Sequence, residues 1–117
     1  MKFRRMSYLF AVLLLSIFSV SCDQQKISEI NADPGSFHDE QVQVAGEVTQ
    51  SIGALGKGVY QLNDGTGSLW VYSDKLGVPT RGAKVGVKGT VLPTFTFLGT
   101  NYATVLRESE RQSAKGN

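Results

Sequence analysis

The residue types that could do catalytic or metal chemistry are few and widely spaced in this sequence. His38 is the only histidine, and although Asp39 and Glu40 follow it, no further ligands stand at suitable spacing, so we expect a solvated turn there. The glycine-rich stretch 50–57, QSIGALGK, lacks the G-x-x-x-x-G-K-[ST] spacing of a phosphate-binding loop and leads to a predicted strand. Because there is also no Cys–His pair and no G-x-S-x-G motif, we predict a protein that is not an enzyme and holds no metal or other cofactor.

Cys22 is the only cysteine, so it cannot form a disulfide within the chain. It follows a stretch with the layout of a secretory signal, in which positive charges at 2–5 precede an almost unbroken apolar run over 8–20 and the small residue Ser21. The apolar run is too short for a comfortable membrane span, which favours a cleaved signal over an uncleaved N-terminal anchor.

The position of Cys22 resembles the lipobox of bacterial lipoproteins, in which this cysteine is lipidated and begins the mature protein. The lipobox usually has Leu three residues earlier, where this chain has Ser19, and Ser19-x-Ser21 would also suit an ordinary signal peptidase that leaves a free thiol. The resemblance implies a signal peptide over 1–21, a polar tether over 22–25, and attachment to a lipid bilayer through Cys22. It places the protein in the cell envelope, facing the periplasm or the exterior, and Asp23 resembles an inner-membrane retention signal.

Cleavage before Cys22 would change the charge of the protein. The whole chain is formally +2, and cleavage removes Lys2, Arg4 and Arg5 from its 12 basic residues while keeping all 10 acidic ones, which leaves −1. A protein of this charge lacks the broad positive field that dominates affinity for nucleic acid. A nucleic-acid partner is therefore disfavoured.

The strongest secondary-structure signal is the stretch 58–73, GVYQLNDGTGSLWVYS. Turn residues at 63–67 separate two runs rich in β-branched and aromatic residues, which predicts a β-hairpin. Because side chains alternate along a strand, Leu69 and Val71 share one face of the second run, while Trp70 and Tyr72 share the other.

The remaining segments predict three more strands and one short helix. The strands alternate in hydrophobicity, and an internal glycine in two of them, Gly46 and Gly89, indicates a bend or a bulge. The predicted segments are helix 26–32, strand 41–49, loop 50–57, connector 74–82, strand 83–91, a strand extension or a long hairpin loop over 92–101, strand 102–108, and a polar tail over 109–117.

Three parts of this pattern resemble the OB-fold of the tRNA-anticodon-binding-like type. In that family a helix and an N-P or D-P turn precede a first strand V-x-V-x-G-x-V, strands two and three meet at D-x-T-G-x-[ILV], and strand four reads G-x-x-V-x-V-x-G. The resemblance covers residues 26–108 and implies an all-β, five-stranded OB barrel with a short N-terminal helix, without the usual helix between strands three and four. The matching residues are Val42, Val44, Gly46 and Val48, then Asp64, Thr66, Gly67 and Leu69, then Gly82, Val85, Val87 and Gly89.

The resemblance also indicates where a ligand would bind. OB-folds commonly bind ligands on the face of strands two and three, between the first and last hairpin loops. If Leu69 and Val71 fill the barrel, Trp70 and Tyr72 project outward on that face; alternatively, the aromatic side chains pack against the N-terminal helix or the tail. The candidate ligand-binding residues are Lys57, Gln61, Trp70, Tyr72, Lys88, Phe95 and Phe97.

These features predict a non-catalytic, membrane-anchored binding module outside the cytoplasm. It would contact a protein, an envelope polymer or a small ligand through the face of strands two and three, or serve as an accessory subunit of an envelope complex. Binding of single-stranded nucleic acid, which stacking aromatic side chains would serve, is the alternative. Export and the near-neutral charge count against that alternative.

Overall fold

The computed structural model describes residues 24–113. The predicted signal peptide over 1–21, the lipidation site Cys22, Asp23 and residues 114–117 lie outside this range. Within the range, none of the helices has the length and apolar character needed to cross a membrane.

A closed barrel of five strands forms the body of the described chain. Around the barrel the strands follow the order β1, β2, β3, β5, β4 and back to β1, and all neighbours are antiparallel except β3 and β5. The predicted all-β, five-stranded OB barrel with a short N-terminal helix is thereby confirmed. The elements are α1 (Ile27–Ala32), α2 (Pro34–Phe37), β1 (Gln41–Ala54), β2 (Lys57–Asn63), β3 (Ser68–Ser73), β4 (Lys84–Phe97) and β5 (Thr100–Ser113).

Branched aliphatic side chains fill the barrel, because alternate residues of each strand point inward. Along β3 the alternation is regular: Leu69, Val71 and Ser73 are buried, and the residues between them are half-buried. α1 closes one end of the barrel with Ile27 and Ile30, which are both fully buried. The other side chains of this core are Val42, Val44, Val48, Tyr60, Leu62, Val85, Val87, Val91 and Leu106.

The turn between β2 and β3 holds α1 in place. The Ile27 N–H donates a hydrogen bond to Asp64 Oδ2 at 2.9 Å, and the Ser28 N–H donates one to the Thr66 hydroxyl oxygen at 3.1 Å. The turn thus satisfies N–H groups at the start of a helix whose own N-cap residue makes no side-chain hydrogen bond. Asp64 Oδ1 also accepts hydrogen bonds from the N–H groups of Thr66 and Gly67 and from the Thr66 hydroxyl, so Asp64 is a turn residue as predicted.

Two glycines allow neighbouring strands to approach closely. A Cβ atom at Gly46 would collide with the carbonyl oxygen of Asn63 on β2, and one at Gly89 would collide with that of Arg107 on β5. The register of β4 against β5 also shifts at Gly89, so this glycine lies at a bulge, as predicted.

The connector between β3 and β4, residues 74–83, closes the other end of the barrel. It contains no helix, as predicted, and Val78 packs against the core in its place. The Arg111 guanidinium on β5 donates hydrogen bonds to the carbonyl oxygens of Leu76 at 3.0 Å and Gly77 at 3.1 Å. The Val78 side chain and the Arg111 hydrogen bonds therefore hold the connector against the barrel.

The hairpin of β1 and β2 is longer than predicted. The predicted loop over 50–57 is wrong, because β1 continues to Ala54 and pairs with β2 from Lys57 onward, leaving a two-residue turn between them. Gly53 in β1 lies opposite Gly58 in β2. Glycines suggest a flexible loop in the sequence, but backbone hydrogen bonds between the two strands satisfy this segment without help from its side chains.

The hairpin of β4 and β5 is also longer than predicted. Of the two alternatives for residues 92–101, the strand extension is correct, since Phe97 still pairs with Thr100. At its other end β5 continues to Ser113, which lies opposite Val85 of β4, so the predicted domain end at 108 falls inside the strand. The polar composition of this end reflects an exposed strand.

A second short helix follows α1 directly. α1 ends at Ala32, as predicted, but Pro34 then begins α2, because the fixed φ and missing N–H of proline suit the first turn of a helix. Phe37, the last residue of α2, packs against the barrel core.

Each long hairpin ends in a leucine followed by a glycine, all in the left-handed conformation. The φ angles are 55° at Leu55 and 81° at Gly56, and 51° at Leu98 and 82° at Gly99. Two-residue turns with positive φ at both positions match the twist of a hairpin, but they favour Asn or Gly in the first position. Leu55 is fully exposed and Leu98 is 68% exposed, so neither side chain gains burial in return for its backbone conformation.

Candidate binding face on β2 and β3

Trp70 and Tyr72 lie on the outer face of β3, because the leucine and valine that alternate with them point into the barrel. β2 lies alongside, with Gln61 opposite Trp70 and Val59 opposite Tyr72. Residues directly opposite each other on one face of a sheet are neighbours. The outer face of these two strands therefore carries two aromatic rings, a valine and an amide.

The hairpin of β4 and β5 brings three more rings to this face: Phe95, Phe97 and Tyr102. The ring centroid of Tyr72 lies 4.1 Å from that of Phe95 and 6.1 Å from that of Phe97. The rings of Trp70 and Tyr102 meet edge to face at 4.9 Å, an arrangement that aromatic pairs favour. We refer to these five rings, Trp70, Tyr72, Phe95, Phe97 and Tyr102, as the aromatic face.

Phe95 and Phe97 reach the outside of the barrel although they alternate in phase with Val91, which points into it. Beyond Val91 the hairpin of β4 and β5 extends past the closed barrel. The side of the hairpin that continues the inward-facing side of β4 therefore packs on the outer side of β3. The change coincides with Thr104 in β5, whose φ of 51° interrupts the extended conformation of the strand.

The structure brings together all four aromatic residues that the sequence singled out. They pack with fully buried Val59 and Val105 and with one another, and no residue of α1, against which the alternative prediction had them packing, belongs to this cluster. Tyr102 is 9% exposed, whereas Trp70 and Tyr72 keep a larger part of their ring surface accessible. The face is therefore a small apolar cluster with an open outer surface.

Gln61 forms the polar edge of the aromatic face. Its Oε1 atom accepts a hydrogen bond from the Thr49 hydroxyl at 3.0 Å and one from Gln50 Nε2 at 3.3 Å. Both donors belong to β1, so the Gln61 side chain is held in one orientation by its neighbouring strand. An amide and a hydroxyl beside aromatic rings can recognise a partner by hydrogen bonding and stacking without charge.

The two lysines among the predicted site residues lie apart from each other. Lys57 is exposed at the start of β2 and shares the outer side of that strand with Val59 and Gln61, so it borders the aromatic face. Lys88 is on β4 with Gln43 of β1 and Glu110 of β5 opposite it. Neither of these strand neighbours belongs to β2 or β3, so the structure does not bring Lys88 to the face.

Tyr102 is the one member of the aromatic face that the sequence analysis missed. Treating residues 92–101 as a strand extension would have placed Tyr102 opposite Phe95, which is where the structure has it. The positive φ at Thr104, where the strand changes the side it presents, has no signal in the sequence, because threonine ordinarily avoids positive φ.

Three polar side chains, Tyr60, Glu108 and Arg111, form a hydrogen-bonded group near the connector. The Tyr60 hydroxyl donates a hydrogen bond to Glu108 Oε1 at 2.9 Å, and Arg111 donates one to the same oxygen at 3.2 Å. Burial raises the pKa of Glu108, although the Tyr60 hydrogen bond and the Arg111 charge oppose the shift. Burial and the nearby carboxyl group of Glu108 also raise the pKa of Tyr60.

A cavity of about 290 Å³ adjoins this polar group. Its rim carries the ion pair of Arg107 and Asp74 at 3.3 Å, and Glu108 Oε2 has no hydrogen-bond partner among the described residues. The Arg111 contacts join β5 to the connector, so we assign the group to the closure of the barrel end. The cavity is lined by Ser73, Asp74, Lys75, Leu76, Arg107, Glu108 and Ser109.

The structure offers little for metal chemistry within residues 24–113. In this range no group of three or more His, Cys, Asp or Glu side chains could hold a metal ion. His38 lies in an isolated bridge with Val91, and Asp39 follows it at a φ of 65°. The segment is therefore a turn, as predicted.

Comparison with known proteins identifies the fold. No protein-family model matches the chain, and no curated protein matches its sequence. Among solved structures, asparaginyl-tRNA synthetase from Pyrococcus horikoshii aligns over 80% of this chain with a TM-score of 0.63 and 17% identity. Two OBody proteins bound to hen egg-white lysozyme also align: AM3L15 over 80% of this chain with a TM-score of 0.59 and 19% identity, and AM3L09 over 68% with 0.53 and 21%.

The extent of these alignments differs between the two kinds of protein. This chain spans 22% of the synthetase but 94% of OBody AM3L15 and 85% of OBody AM3L09. At these identities the likeness concerns the fold alone. It supports the OB-fold that the strand pattern predicts.

Proposed function

We propose that this protein is a non-catalytic binding module of the cell envelope, anchored to a membrane through an acylated Cys22, that contacts a macromolecular partner through the aromatic face. The observation that carries the proposal is the half-open cluster of rings that β3 and the hairpin of β4 and β5 bring together. It is bordered by the fixed amide of Gln61 and by Lys57. Aromatic side chains with one accessible surface are enriched where proteins contact partners.

Among the possible classes of partner, the geometry of the aromatic face favours a protein. The aromatic face presents apolar ring surface with amide and hydroxyl groups at its edge, and such a mixture suits the buried centre of a protein interface. Two of the similar OB barrels are seen bound to a protein, lysozyme, so this architecture can carry a protein-binding surface.

The membrane anchor is supported by the sequence alone. Cys22 is the single cysteine and directly follows an apolar run that ends in small residues. Acylation would give the protein several lipid chains, and two or more such signals are needed for stable membrane attachment. The N-terminus of the mature protein tests this: mass spectrometry should find an acylated Cys22, and an unmodified chain that begins elsewhere would contradict the anchor.

A photo-crosslinker placed at Tyr72 tests the binding face directly. In the envelope of cells that make the full chain, the probe should crosslink to one discrete protein species, and Trp70→Ala should abolish the product. Leu76 provides the matched control, because its side chain is 53% exposed yet lies outside the aromatic face. Equal crosslinking from positions 72 and 76, or an unchanged product with Trp70→Ala, would contradict the proposal.

A further inference from the structure

The polar groups of the aromatic face are mainly hydrogen-bond donors. Gln61 Oε1 already accepts hydrogen bonds from the Thr49 hydroxyl at 3.0 Å and from Gln50 Nε2 at 3.3 Å, so the amide has its two N–H groups left for another molecule. The Trp70 indole adds one more N–H and can only donate, whereas the Tyr72 hydroxyl can donate or accept. Lys57 at the border of the face is also a donor.

The Gln61 and Trp70 donors lie at the open surface of the aromatic face. No group within residues 24–113 accepts a hydrogen bond from the Gln61 amide nitrogen or the Trp70 indole nitrogen, and both residues are half-buried. In the same range, the buried side-chain nitrogen and oxygen atoms without a partner comprise only Glu108 Oε2. The nitrogens of Gln61 and Trp70 are therefore accessible, and their N–H groups can donate to a bound molecule.

The backbone of β3 cannot pair with an added strand at this face. β3 pairs with β2 along its whole length and with β5 from Trp70 to Tyr72. The backbone groups beside the two outward rings are thus already paired on both sides, which excludes recognition by strand addition there. A partner must therefore be recognised by the rings and by the side-chain donors.

Donors beside apolar rings are complementary to a segment that presents acceptors and apolar surface together. The backbone carbonyl groups of an α-helix or of a sheet strand are used within the partner's own structure. A polyproline II helix has no internal hydrogen bonds, so its carbonyl groups are free, and proline brings no N–H that would need an acceptor. A proline-rich segment therefore matches both the donors and the rings of this face.

The two outward rings are held in place before a partner binds. The ring centroid of Tyr72 lies 4.1 Å from that of Phe95, and the centroid of Trp70 lies 4.9 Å from that of Tyr102. Residues two positions apart on a strand are about 7 Å apart, and a polyproline II helix advances about 6 Å in two residues. Fixed rings and a stiff ligand of similar spacing lose little conformational entropy on binding.

We propose that the aromatic face binds a proline-rich segment of another protein in the polyproline II conformation. Its proline rings pack on Trp70 and Tyr72, and its carbonyl oxygens accept hydrogen bonds from the Gln61 amide and the Trp70 indole. The inference rests on the proposed function and deepens it, because it names the class of protein segment that the face recognises.

Trp70 makes this binding measurable, because it is the only tryptophan of the chain. The full chain, purified in detergent at neutral pH, is titrated with capped decaproline, and Trp70 fluorescence should change saturably. A capped decapeptide of alternating glycine and serine should cause no saturable change.

Gln61→Glu tests the role of the donors. The variant keeps an oxygen for Thr49 and Gln50 but replaces the amide N–H groups with an acceptor, so the affinity for decaproline should fall several-fold. Leu76→Ala, outside the aromatic face, should leave the affinity unchanged. Thermal unfolding of both variants shows that they are folded under the conditions of the titration.

Absence of saturable decaproline binding, or an unchanged affinity in folded Gln61→Glu, would overturn the inference. Saturable binding of chitotetraose without binding of decaproline would also overturn it and assign the face to a glycan. The crosslink from position 72 judges the proposed function separately: a discrete crosslinked protein without decaproline binding would remove only the proline-rich partner. If the inference is correct, excess decaproline should suppress that crosslink.

Discussion

Asp64 shows why one of the most recognisable motifs of this chain indicates the fold and not a ligand. Its carboxylate accepts hydrogen bonds from the N–H groups of Ile27, Thr66 and Gly67, so one side chain both shapes the turn between β2 and β3 and caps α1. The glycine at position 67 lies close to Ile27 and Asn31 of the helix. The residues of the D-x-T-G motif therefore connect the turn to the helix, and the motif has a structural role.

Replacing Asp64 with Ala should lower the free energy of unfolding by about 1 kcal/mol, the usual effect of losing an N-cap. Urea denaturation measured by the fluorescence of Trp70 reports this change. Asp64→Asn is the control, since it keeps one acceptor oxygen and should lose less. Equal stability of Asp64→Ala and the wild type would show that the helix start does not depend on this side chain.

The same residue makes stability depend on pH. Partial burial alone would raise the pKa of Asp64, but the hydrogen bonds, led by that from the Ile27 N–H, hold it below its ordinary value. The folded state therefore favours the carboxylate, and the stabilisation is present above the unfolded pKa of about 3.9 and is lost as the pH falls through the folded value. Urea denaturation from pH 7 to pH 2 should show that wild type loses more stability than Asp64→Asn, and parallel profiles would contradict this assignment.

Glu108 should have the opposite pH dependence. Because burial raises its pKa, the folded state binds this proton more tightly than the unfolded chain does. Its contribution is present below the unfolded pKa of about 4.3 and is lost as the pH rises through the folded value. Relative to Glu108→Gln, which cannot titrate, wild type should therefore lose stability between acidic and neutral pH in thermal denaturation; a constant difference between the two would exclude a raised pKa.

At the scale of elements, the long hairpin of β4 and β5 decides the form of the candidate site. Its first part closes the barrel, and its last part carries Phe95, Phe97 and Tyr102 onto the outside of β3. The hairpin thus covers part of the surface that OB-folds commonly use for ligands. What remains accessible is the outer surface of a mixed cluster from three strands.

Substitutions in the turns of the two long hairpins are predicted to increase the stability of the protein. Leu98 has a φ of 51° and is mostly exposed, so Leu98→Asn, which creates the favoured Asn-Gly turn, should raise the free energy of unfolding by about 1 kcal/mol. Leu55→Asn, at the matching turn of the other hairpin, should have a similar effect. Urea denaturation measures both, and destabilisation by either variant would show that the leucine makes a contact that compensates for its backbone conformation.

At the scale of the whole molecule, the charge expected after cleavage is the argument against a nucleic-acid partner. The predicted mature chain has a net charge of −1, and Arg107, on the strand next to β3, is engaged with Asp74. Single-strand binding combines stacking rings with a positively charged groove. The basic residues that border the aromatic face in the described chain are Lys57 and Arg107, which lies opposite Tyr72.

We therefore expect no salt-sensitive binding of single-stranded oligonucleotides. Fluorescence anisotropy with a labelled mixed-sequence oligonucleotide, titrated at low and at physiological salt, should show no saturable binding by wild type. Binding at low salt that weakens steeply as salt is added and is lost in Trp70→Ala would overturn this expectation and favour a nucleic-acid function.

The sequence alone determined the fold class, because local patterns encode it. Strict alternation at Val42, Val44 and Val48, the turn residues at 63–67, and the close-approach glycines Gly46 and Gly89 each act over a few residues. They were sufficient for five strands, a helix at the start and the outward direction of Trp70 and Tyr72. The export signal and Cys22 are likewise local, and they remain predictions.

Only the tertiary structure decided how the candidate site is assembled. The extent of the long hairpins depends on backbone pairing, which glycine-rich and polar side chains do not reveal. The packing of Tyr102 on Trp70 and the separation of Lys88 from the aromatic face depend on which strands are neighbours in the closed barrel. Such contacts join residues far apart in sequence, so no local pattern could have specified them.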